Sequence, residues 1–146
     1  MAVEQNPYDD KKLAEIRADQ TDPLVMYLIV RESLNMGVGK IAAQCAHAAQ
    51  MVLLRFQMLI QNQEALNQND REKLLNTQVW VGESFRKVVL RADDKEWEKL
   101  KQEFDCFVVR DAGLTEVAPN TETVIGLWPM RKSTRPKILQ RLQVLK

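Results

Sequence analysis

An uninterrupted apolar run from Leu24 to Val30 is the feature that most constrains what this chain folds into. Because the run is continuous rather than alternating, it predicts a β-strand that is covered on both faces, as in α/β proteins. A turn with Gly37 and Gly39 follows, and the pattern then changes to a long helix, predicted from Gly39 or Lys40 to about Ile60. The first half of this helix is rich in alanine, whose small side chain favours a helix and would allow close approach to a sheet.

Three further strands and two further helices are predicted from the rest of the chain. The strands cover residues 86–92, 104–109 and 121–127. A helix after the second strand starts at Asp93, with a glutamate three positions later as in a capping box. A last helix has Ser133 or Thr134 as its cap and Pro136 in its first turn, and it carries inward-facing leucines up to Leu145. The order β-α-β-α-β-β-α predicts an α/β fold, a four-stranded mixed sheet flanked by helices, in a single domain.

This domain is expected to span residues 23–146, after a polar N-terminal arm at residues 1–22. Residues 61–85 are rich in glutamine and asparagine and are predicted to form a surface excursion of the domain, in which Asp70 caps a short helix that continues through Leu75. The start of the chain lacks the basic and then apolar pattern of a signal peptide, and no apolar run is long enough for a membrane span. A cytoplasmic protein without a membrane partner is therefore expected.

Four polar side chains are candidates for chemistry. Lys40, Gln44 and His47 recur at helical spacing, so they share one side of the long helix. Asp111 follows the third strand, and ligands of open α/β sheets bind beyond the carboxyl ends of strands. If the first and third strands are parallel, Lys40 and Asp111 converge although 71 positions separate them. Structural roles stay open for each: a solvated lysine, a structural histidine, or an aspartate that caps its own loop.

Two familiar catalytic motifs are excluded. The glycine turn is not a nucleotide P-loop, because Ile41 follows Lys40 where that motif needs serine or threonine. Cys45 and His47 cannot form a thiol–imidazole pair, since residues two apart on a helix point about 200° away from each other. The second cysteine, Cys106, joins no cluster of cysteine or histidine, so neither a zinc site nor a disulfide scaffold is expected.

Charge is distributed unevenly along the chain. The totals nearly cancel, with 21 basic and 20 acidic residues, which excludes a strongly basic nucleic-acid-binding coat. From residue 123 onward, however, the chain has six basic residues and no acidic residue. Three of the six, Arg131, Lys132 and Arg135, are close together in sequence. A phosphate-bearing partner and a merely solubilising segment both remain possible explanations.

Two long segments resemble the type II peptidyl-tRNA hydrolases of archaea and eukaryotes. The first is Met36–Ala48, which contains the glycine turn and the start of the long helix, and the second is Val109–Gly126, which contains Asp111. The resemblance covers roughly residues 24–146. It implies an enzyme that cleaves the ester between a peptide and tRNA, with neither a metal nor an organic cofactor.

The resemblance also assigns site residues. It implies five catalytic residues, namely Lys40, His47, Asp111, Thr115 and Thr123. The substrate-binding residues expected are Gly39, Gln44, Arg131, Lys132 and Arg135, with the basic ones holding the acceptor end of peptidyl-tRNA. A homodimer is compatible with these expectations.

The sequence departs from the family pattern at three places, and two rival functions stay open. Val38 stands where the family often has a second lysine, Asn120 stands where glycine is usual, and the excursion at 61–85 is long. One rival is a catalytically weak or inactive hydrolase-like module that binds RNA or protein on the same fold. The other is a hydrolase of a different small ester or amide.

Overall fold

A mixed six-stranded sheet, with helices on both faces, forms the framework of the protein. The computed structural model describes residues 21–114 and 116–146. Its strands are β1 Leu24–Arg31, β2 Arg86–Ala92, β3 Cys106–Arg110, β4 Glu122–Leu127, β5 Met130–Arg131 and β6 Gln143–Val144. Its α-helices are α1 Val38–Gln61, α2 Gln68–Gly82, α3 Asp94–Glu103 and α4 Lys137–Arg141, and three short 3-10 turns join them at 32–34, 63–65 and 132–134.

Strand order along the sheet is β3-β4-β1-β2-β6, and β5 pairs with the start of β1. Strands β1 and β2 are parallel, whereas β4 is antiparallel to both β1 and β3. Strand β3 therefore runs in the same direction as β1. This direction places the carboxyl ends of β1 and β3 at one edge of the sheet, as the sequence analysis required for a shared site.

The α/β class is confirmed, but the predicted four strands and element order are wrong. The structure adds two strands, β5 and β6, of two residues each, and such short strands are too brief to produce a periodic pattern. The last helix does not continue to Leu145, because α4 ends at Arg141 and the chain returns to the sheet as β6. Leu142 packs with α3 and α4, whereas Leu145 packs with the α1 layer, so the two leucines do not share one helical face.

The central strand, β1, is covered on both faces, as the continuous apolar run predicted. Its even-numbered residues Leu24, Met26, Leu28 and Val30 belong to the core under α1 and α2. Its odd-numbered residues Val25, Tyr27 and Ile29 belong to the core under α3 and α4. The alternation of side chains along a strand thus divides one apolar run between two hydrophobic layers.

Helix α1 approaches the sheet closely at a single alanine. Ala48 is fully buried, and a Cβ built on Gly126 of β4 would lie 3.2 Å from its carbonyl oxygen. Ala42, Ala43 and Ala46 are exposed, so most of the predicted alanine-rich contact surface faces solvent instead. The predicted bounds of this helix, from about Gly39 to Ile60, match the observed helix within two residues.

The segment 61–85 is part of the packed structure rather than a surface excursion. Most of it forms α2, whose Leu74, Thr77 and Trp80 are buried, and the indole of Trp80 donates to the Arg86 carbonyl at 2.8 Å. Asn67, not Asp70, caps this helix, because its side chain accepts from the Asp70 N–H. Polar residues outnumber the few inward-facing ones, so the sequence pattern predicted only a short helix ending at Leu75 instead of the whole of α2.

Helix α3 starts with the predicted capping box. The Asp93 carboxylate accepts from the Glu96 N–H at 2.8 Å, and the Glu96 carboxylate accepts from the Asp93 N–H at 2.9 Å.

The predicted arm at residues 1–22 lies almost wholly outside the described residues. Among the described residues, no helix has the length and apolar character to cross a membrane.

Candidate active site

The candidate site lies where the carboxyl ends of β1 and β3 meet. The glycine turn follows β1 and leads into α1, which places Lys40 in the first turn of that helix. Asp111 directly follows β3. The Lys40 Nζ atom lies 2.7 Å from Asp111 Oδ1, and the two side chains are only 11% and 8% exposed. The convergence expected from the topology is therefore observed as a largely buried ion pair.

Three hydrogen-bond donors surround the Asp111 carboxylate. Besides Lys40, the Gln44 Nε2 group donates to Oδ1 at 3.1 Å and the Gly113 N–H donates to Oδ2 at 2.8 Å. The hydrogen bond from Lys40 is the main reason why the pKa of Asp111 lies below its ordinary value, and the Gly113 and Gln44 donors act in the same direction. Asp111 is consequently a stable anion and a weak base.

Gln44 and Thr123 form a buried support for this carboxylate. Both residues are buried, and the Thr123 hydroxyl donates to Gln44 Oε1 at 2.5 Å. That contact fixes which way the Gln44 amide points, so its NH2 group faces Asp111. The Gln44 oxygen and one N–H of its amide are therefore engaged within this support. Thr115, the other threonine predicted in the site, lies outside the described residues.

The β3–β4 loop, residues 111–121, is closed at its base by two backbone hydrogen bonds. The Asp111 N–H donates to the Thr121 carbonyl, and the Asn120 N–H donates to the Asp111 carbonyl. Gly113 has φ of 77°, and a Cβ there would lie 2.3 Å from the Pro119 nitrogen, so only glycine fits. Asn120 has φ of 64°, a conformation that asparagine adopts more readily than most residues, and it therefore serves where glycine was expected.

A cleft of about 600 Å³ opens beside the ion pair. Its lining comprises Gly39, Lys40, Ala43, Gln44, His47, Arg110, Asp111, Ala112, Leu114 and Glu116. His47 is exposed, and it lies two helical turns, or about 10 Å, from Lys40 along α1. The structure thus brings five of the predicted site residues to one cleft: Gly39, Lys40, Gln44, His47 and Asp111.

Two charged residues at this cleft were not singled out from the sequence. Glu116 Oε2 accepts from the Gly37 N–H at 2.8 Å, which connects the β3–β4 loop to the glycine turn. Arg110 is 59% exposed and its guanidinium lies 3.3 Å from Glu122. Both lie within the second segment of the resemblance and within five residues of Asp111, which is the only sequence signal that pointed to them.

The predicted basic substrate-binding residues lie elsewhere. Arg131 pairs with Leu24 at the first residue of β1, whereas the cleft is at the opposite end of that strand. A strand of this length spans about 23 Å at 3.3 Å per residue. Lys132 and Arg135 follow in the next turn, where Ser133 bonds Asp22. These three residues are separate from the cleft that contains Lys40.

Neither cysteine is placed for catalysis. Both are free thiols, and burial raises the pKa of Cys45 to about 11. Burial also raises the pKa of Cys106 above its ordinary value. Among the residues that the structure describes, no group of three or more histidine, cysteine, aspartate or glutamate side chains is arranged to hold a metal ion.

Alkylation of the native protein with iodoacetamide is therefore expected to leave turnover unchanged. A thiol whose pKa is about 11 is almost entirely protonated at neutral pH, and the thiolate is the reactive form. Mass spectrometry should find Cys45 unmodified until denaturant is added. Rapid, stoichiometric inactivation of the native protein would contradict this prediction.

Comparisons with known proteins support the resemblance seen in the sequence. The profile of the family described as "Peptidyl-tRNA hydrolase PTH2" matches residues 24–145. The peptidyl-tRNA hydrolase of Thermoplasma acidophilum is 34% identical over 126 residues, covering 82% of this chain and 97% of that protein. That of Methanopyrus kandleri is 34% identical over 125 residues, covering 82% and 96%. Peptidyl-tRNA hydrolase 2 of Saccharomyces cerevisiae is 32% identical over 125 residues, covering 82% of this chain and 57% of that protein.

Proposed function

The chain belongs to the peptidyl-tRNA hydrolase PTH2 family, and from this premise we propose that it binds the acceptor end of peptidyl-tRNA in the cleft beside α1. Water attacks the carbonyl carbon of the ester, the bond from that carbon to the ribose oxygen breaks, and the ribose oxygen takes up a proton. The products are a free peptide carboxylate and tRNA. The observation that carries this placement is the largely buried Lys40–Asp111 pair at the edge of the cleft.

Lys40 is proposed to stabilise the negative charge that develops in the transition state. One N–H of its ammonium group is directed at Asp111, which leaves two donors for the carbonyl oxygen of the attacked ester. Donors held in place before the reaction are effective because they need no reorganisation as charge develops. Gly39, at the same edge, offers backbone space rather than a side chain, so a substrate group can approach α1 closely there.

Asp111 is proposed to position Lys40 and to orient water rather than to remove its proton. Oδ1 already accepts two hydrogen bonds and Oδ2 accepts one, so a single acceptor position remains on Oδ2. A water molecule bound there would lie beside the Lys40 ammonium group. Because the pKa of Asp111 is lowered, the carboxylate is a poor proton acceptor in this environment.

His47 is proposed to orient the substrate or to assist proton transfer. It is the only histidine of the chain, it is exposed, and it lines the cleft. An imidazole can accept and donate protons near neutral pH, which suits transfer from water to the leaving ribose oxygen. Thr115 remains a proposed catalytic residue on the family resemblance. Thr123 and Gln44 are proposed as positioning residues, since they reach the reaction only through Asp111.

Hydrolysis of N-acetylated aminoacyl-tRNA by the purified chain tests the proposed function. We expect release of the N-acetyl amino acid without added metal, and no release from the same tRNA when the linkage is an amide. Binding of the tRNA without release would indicate the inactive binding module instead. Turnover of simple esters at equal efficiency, with no preference for tRNA, would indicate the hydrolase of small esters.

A salt titration tests whether the basic residues far from the cleft hold the acceptor stem. Arg131, Lys132 and Arg135 lie about 23 Å along β1 from the site, a distance that about seven stacked nucleotides would cover at about 3.4 Å each. If each neutralises one phosphate, replacing all three by glutamine should reduce the slope of log K against log salt by about two to three. An unchanged slope would exclude them as phosphate contacts. Replacing Lys95, Lys99 and Arg55 provides a control of equal charge.

The proposed compartment is the cytoplasm. Both cysteines of the chain are free, and free thiols are typical of proteins in reducing compartments. A fluorescent fusion imaged in the source cell would test this, and accumulation of the fusion inside an organelle or outside the cell would contradict it.

A further inference from the structure

The helix that carries Lys40 begins in an unusual way. Gly37 is its N-cap, so Val38, Gly39 and Lys40 occupy its first three helical positions. The third position is where a capping box has glutamate or glutamine, whose side chain bonds the N–H of the cap residue. Here that position is a lysine, and its side chain is directed at Asp111 instead. Helix α1 therefore lacks the local group that normally satisfies the cap N–H.

Helix α3 of the same protein shows the usual arrangement. Its third helical residue, Glu96, accepts from the N–H of its cap residue, Asp93, at 2.9 Å. Helix α3 also has acidic residues in its first turn, whereas α1 has none. Since carboxylates stabilise the positive end of the helix dipole, α1 lacks both contributions within its own sequence.

Glu116 supplies the missing carboxylate from the β3–β4 loop. Its Oε2 atom accepts from the Gly37 N–H at 2.8 Å, across 79 positions of sequence. The other carboxylate oxygen of Glu116 is also close to Gly37: a Cβ built on Gly37 would lie 2.9 Å from Glu116 Oε1. The bond from Glu116 to Gly37 therefore reproduces, between two distant segments, the bond that Glu96 makes within α3.

This bond joins the two halves of the site. Lys40 lies three residues after Gly37 on α1, and Asp111 begins the loop that carries Glu116. Val117 packs against the core, whereas Leu114 at the loop tip is 88% exposed and does not hold the loop against α1. We propose that Glu116 is a positioning residue, which replaces the third-position carboxylate of α1 and thereby keeps Asp111 and Lys40 in their reactive arrangement. The proposal rests on the proposed function of the cleft.

Two substitutions at Glu116 separate the hydrogen bond from the charge. Glu116→Gln keeps an oxygen that can accept from the Gly37 N–H, whereas Glu116→Ala removes it. We expect Glu116→Ala to lower kcat about tenfold, since a small displacement of catalytic groups has effects of this size or larger. KM should change less than kcat, and Glu116→Gln should stay within about twofold of the wild type. Glu72→Ala, which removes an exposed carboxylate on α2, is the matched control.

A double-mutant cycle then tests whether Glu116 acts through Gly37. Gly37→Ala should reduce kcat while Glu116 is present, because its Cβ would displace the carboxylate, and should add little once Glu116 is alanine. Wild-type kcat in Glu116→Ala would overturn the proposal. Equal losses in Glu116→Ala and Glu116→Gln would also overturn it, because the effect would then not depend on the hydrogen bond to the Gly37 N–H, and so would an effect confined to KM. Absence of turnover in the wild type would refute the proposed function instead.

Folding of the variants is checked by thermal unfolding. Glu116→Ala is expected to lower Tm by about 2–4 °C, as for the loss of one helix cap in a protein of this size. Assays at 25 °C would then still contain folded protein. If Glu116→Ala does not fold, Glu116→Gln and Gly37→Ala decide the question: a folded Glu116→Gln variant with kcat reduced tenfold contradicts the proposal.

Discussion

Lys40→Ala is expected to lower kcat by about 10²–10³-fold, the usual cost of removing one donor from a site that stabilises a developing negative charge. The methyl side chain of alanine leaves the ester oxygen without the ammonium group that the cleft presents to it. Asp111 keeps its bonds from Gln44 and Gly113, so the fold should survive the substitution. Rates measured with N-acetylated aminoacyl-tRNA, under single-turnover conditions, give the comparison directly.

The control for Lys40 is Lys99→Ala on α3. Lys99 is exposed, so this variant loses the same charge without touching the cleft. Lys40→Arg adds a second comparison, because the broad guanidinium group keeps the charge but does not fit the position of a compact ammonium group. We expect an intermediate rate for Lys40→Arg. If Lys40→Ala keeps more than a tenth of the wild-type kcat, Lys40 is not the main source of stabilisation.

Asp111→Asn is expected to reduce kcat by about 10²-fold, because it misplaces Lys40 rather than removing it. The wild-type carboxylate accepts from three donors on two oxygens. Asparagine has one oxygen, so its NH2 group must face either the Gly113 N–H or the pair formed by Lys40 and Gln44. In either orientation the NH2 group of asparagine faces another hydrogen-bond donor, so at least one hydrogen bond is lost. Asp70→Asn on α2, distant from the cleft, is the matched control.

The same substitution has a predictable effect on stability at low pH. The folded protein holds the pKa of Asp111 below its ordinary value, so the carboxylate contributes stability above the unfolded pKa of about 3.9. That contribution is lost as the pH falls through the lower, folded value. The difference in Tm between pH 6 and pH 3 should therefore be smaller in Asp111→Asn than in the wild type. An unchanged difference would mean that the ion pair contributes nothing to stability.

The pH–rate profile of the wild type gives an independent check on Asp111. Since its carboxylate is ionised throughout the range above its ordinary pKa, its titration should not appear between pH 5 and 8. Any loss of rate within that range therefore belongs to a group other than Asp111. If Asp111→Asn removes an acid limb in this range without lowering the plateau, the assigned positioning role is wrong.

The main framework was predictable because long, strongly patterned segments determine it. The continuous apolar run predicted β1 and its two covered faces, and the capping residues predicted the start of α3. Strand β2 has the predicted bounds of residues 86–92. The two-residue strands were missed, and the polar helix α2 was predicted only as a short helix ending at Leu75, because their formation depends on partners that are distant in sequence. Trp80 shows this for α2: it is completely buried, although most residues of this helix are polar.

The candidate site was likewise predictable only in part. The convergence of Lys40 and Asp111 follows from two parallel strands, so the chain order alone was sufficient to predict it. The hydrogen bonds of Gln44 were not predicted, because its partners Asp111 and Thr123 are distant in sequence. The role of Glu116 was not predicted, because its partner is a backbone N–H. The sequence does not indicate which N–H group of a distant turn lacks an acceptor.

Because Lys40 and Asp111 are far apart along the chain, we expect turnover to depend on folding of the sheet that brings them together. The two groups meet only after β3 has taken its place beside β4, so the pair belongs to the slow, non-local part of assembly. A partly folded molecule that contains only β1 and α1 has the ammonium group without its counterion. If this pair acts as proposed, we expect peptide release by a nascent or damaged copy of this enzyme only after β3 has paired with β4.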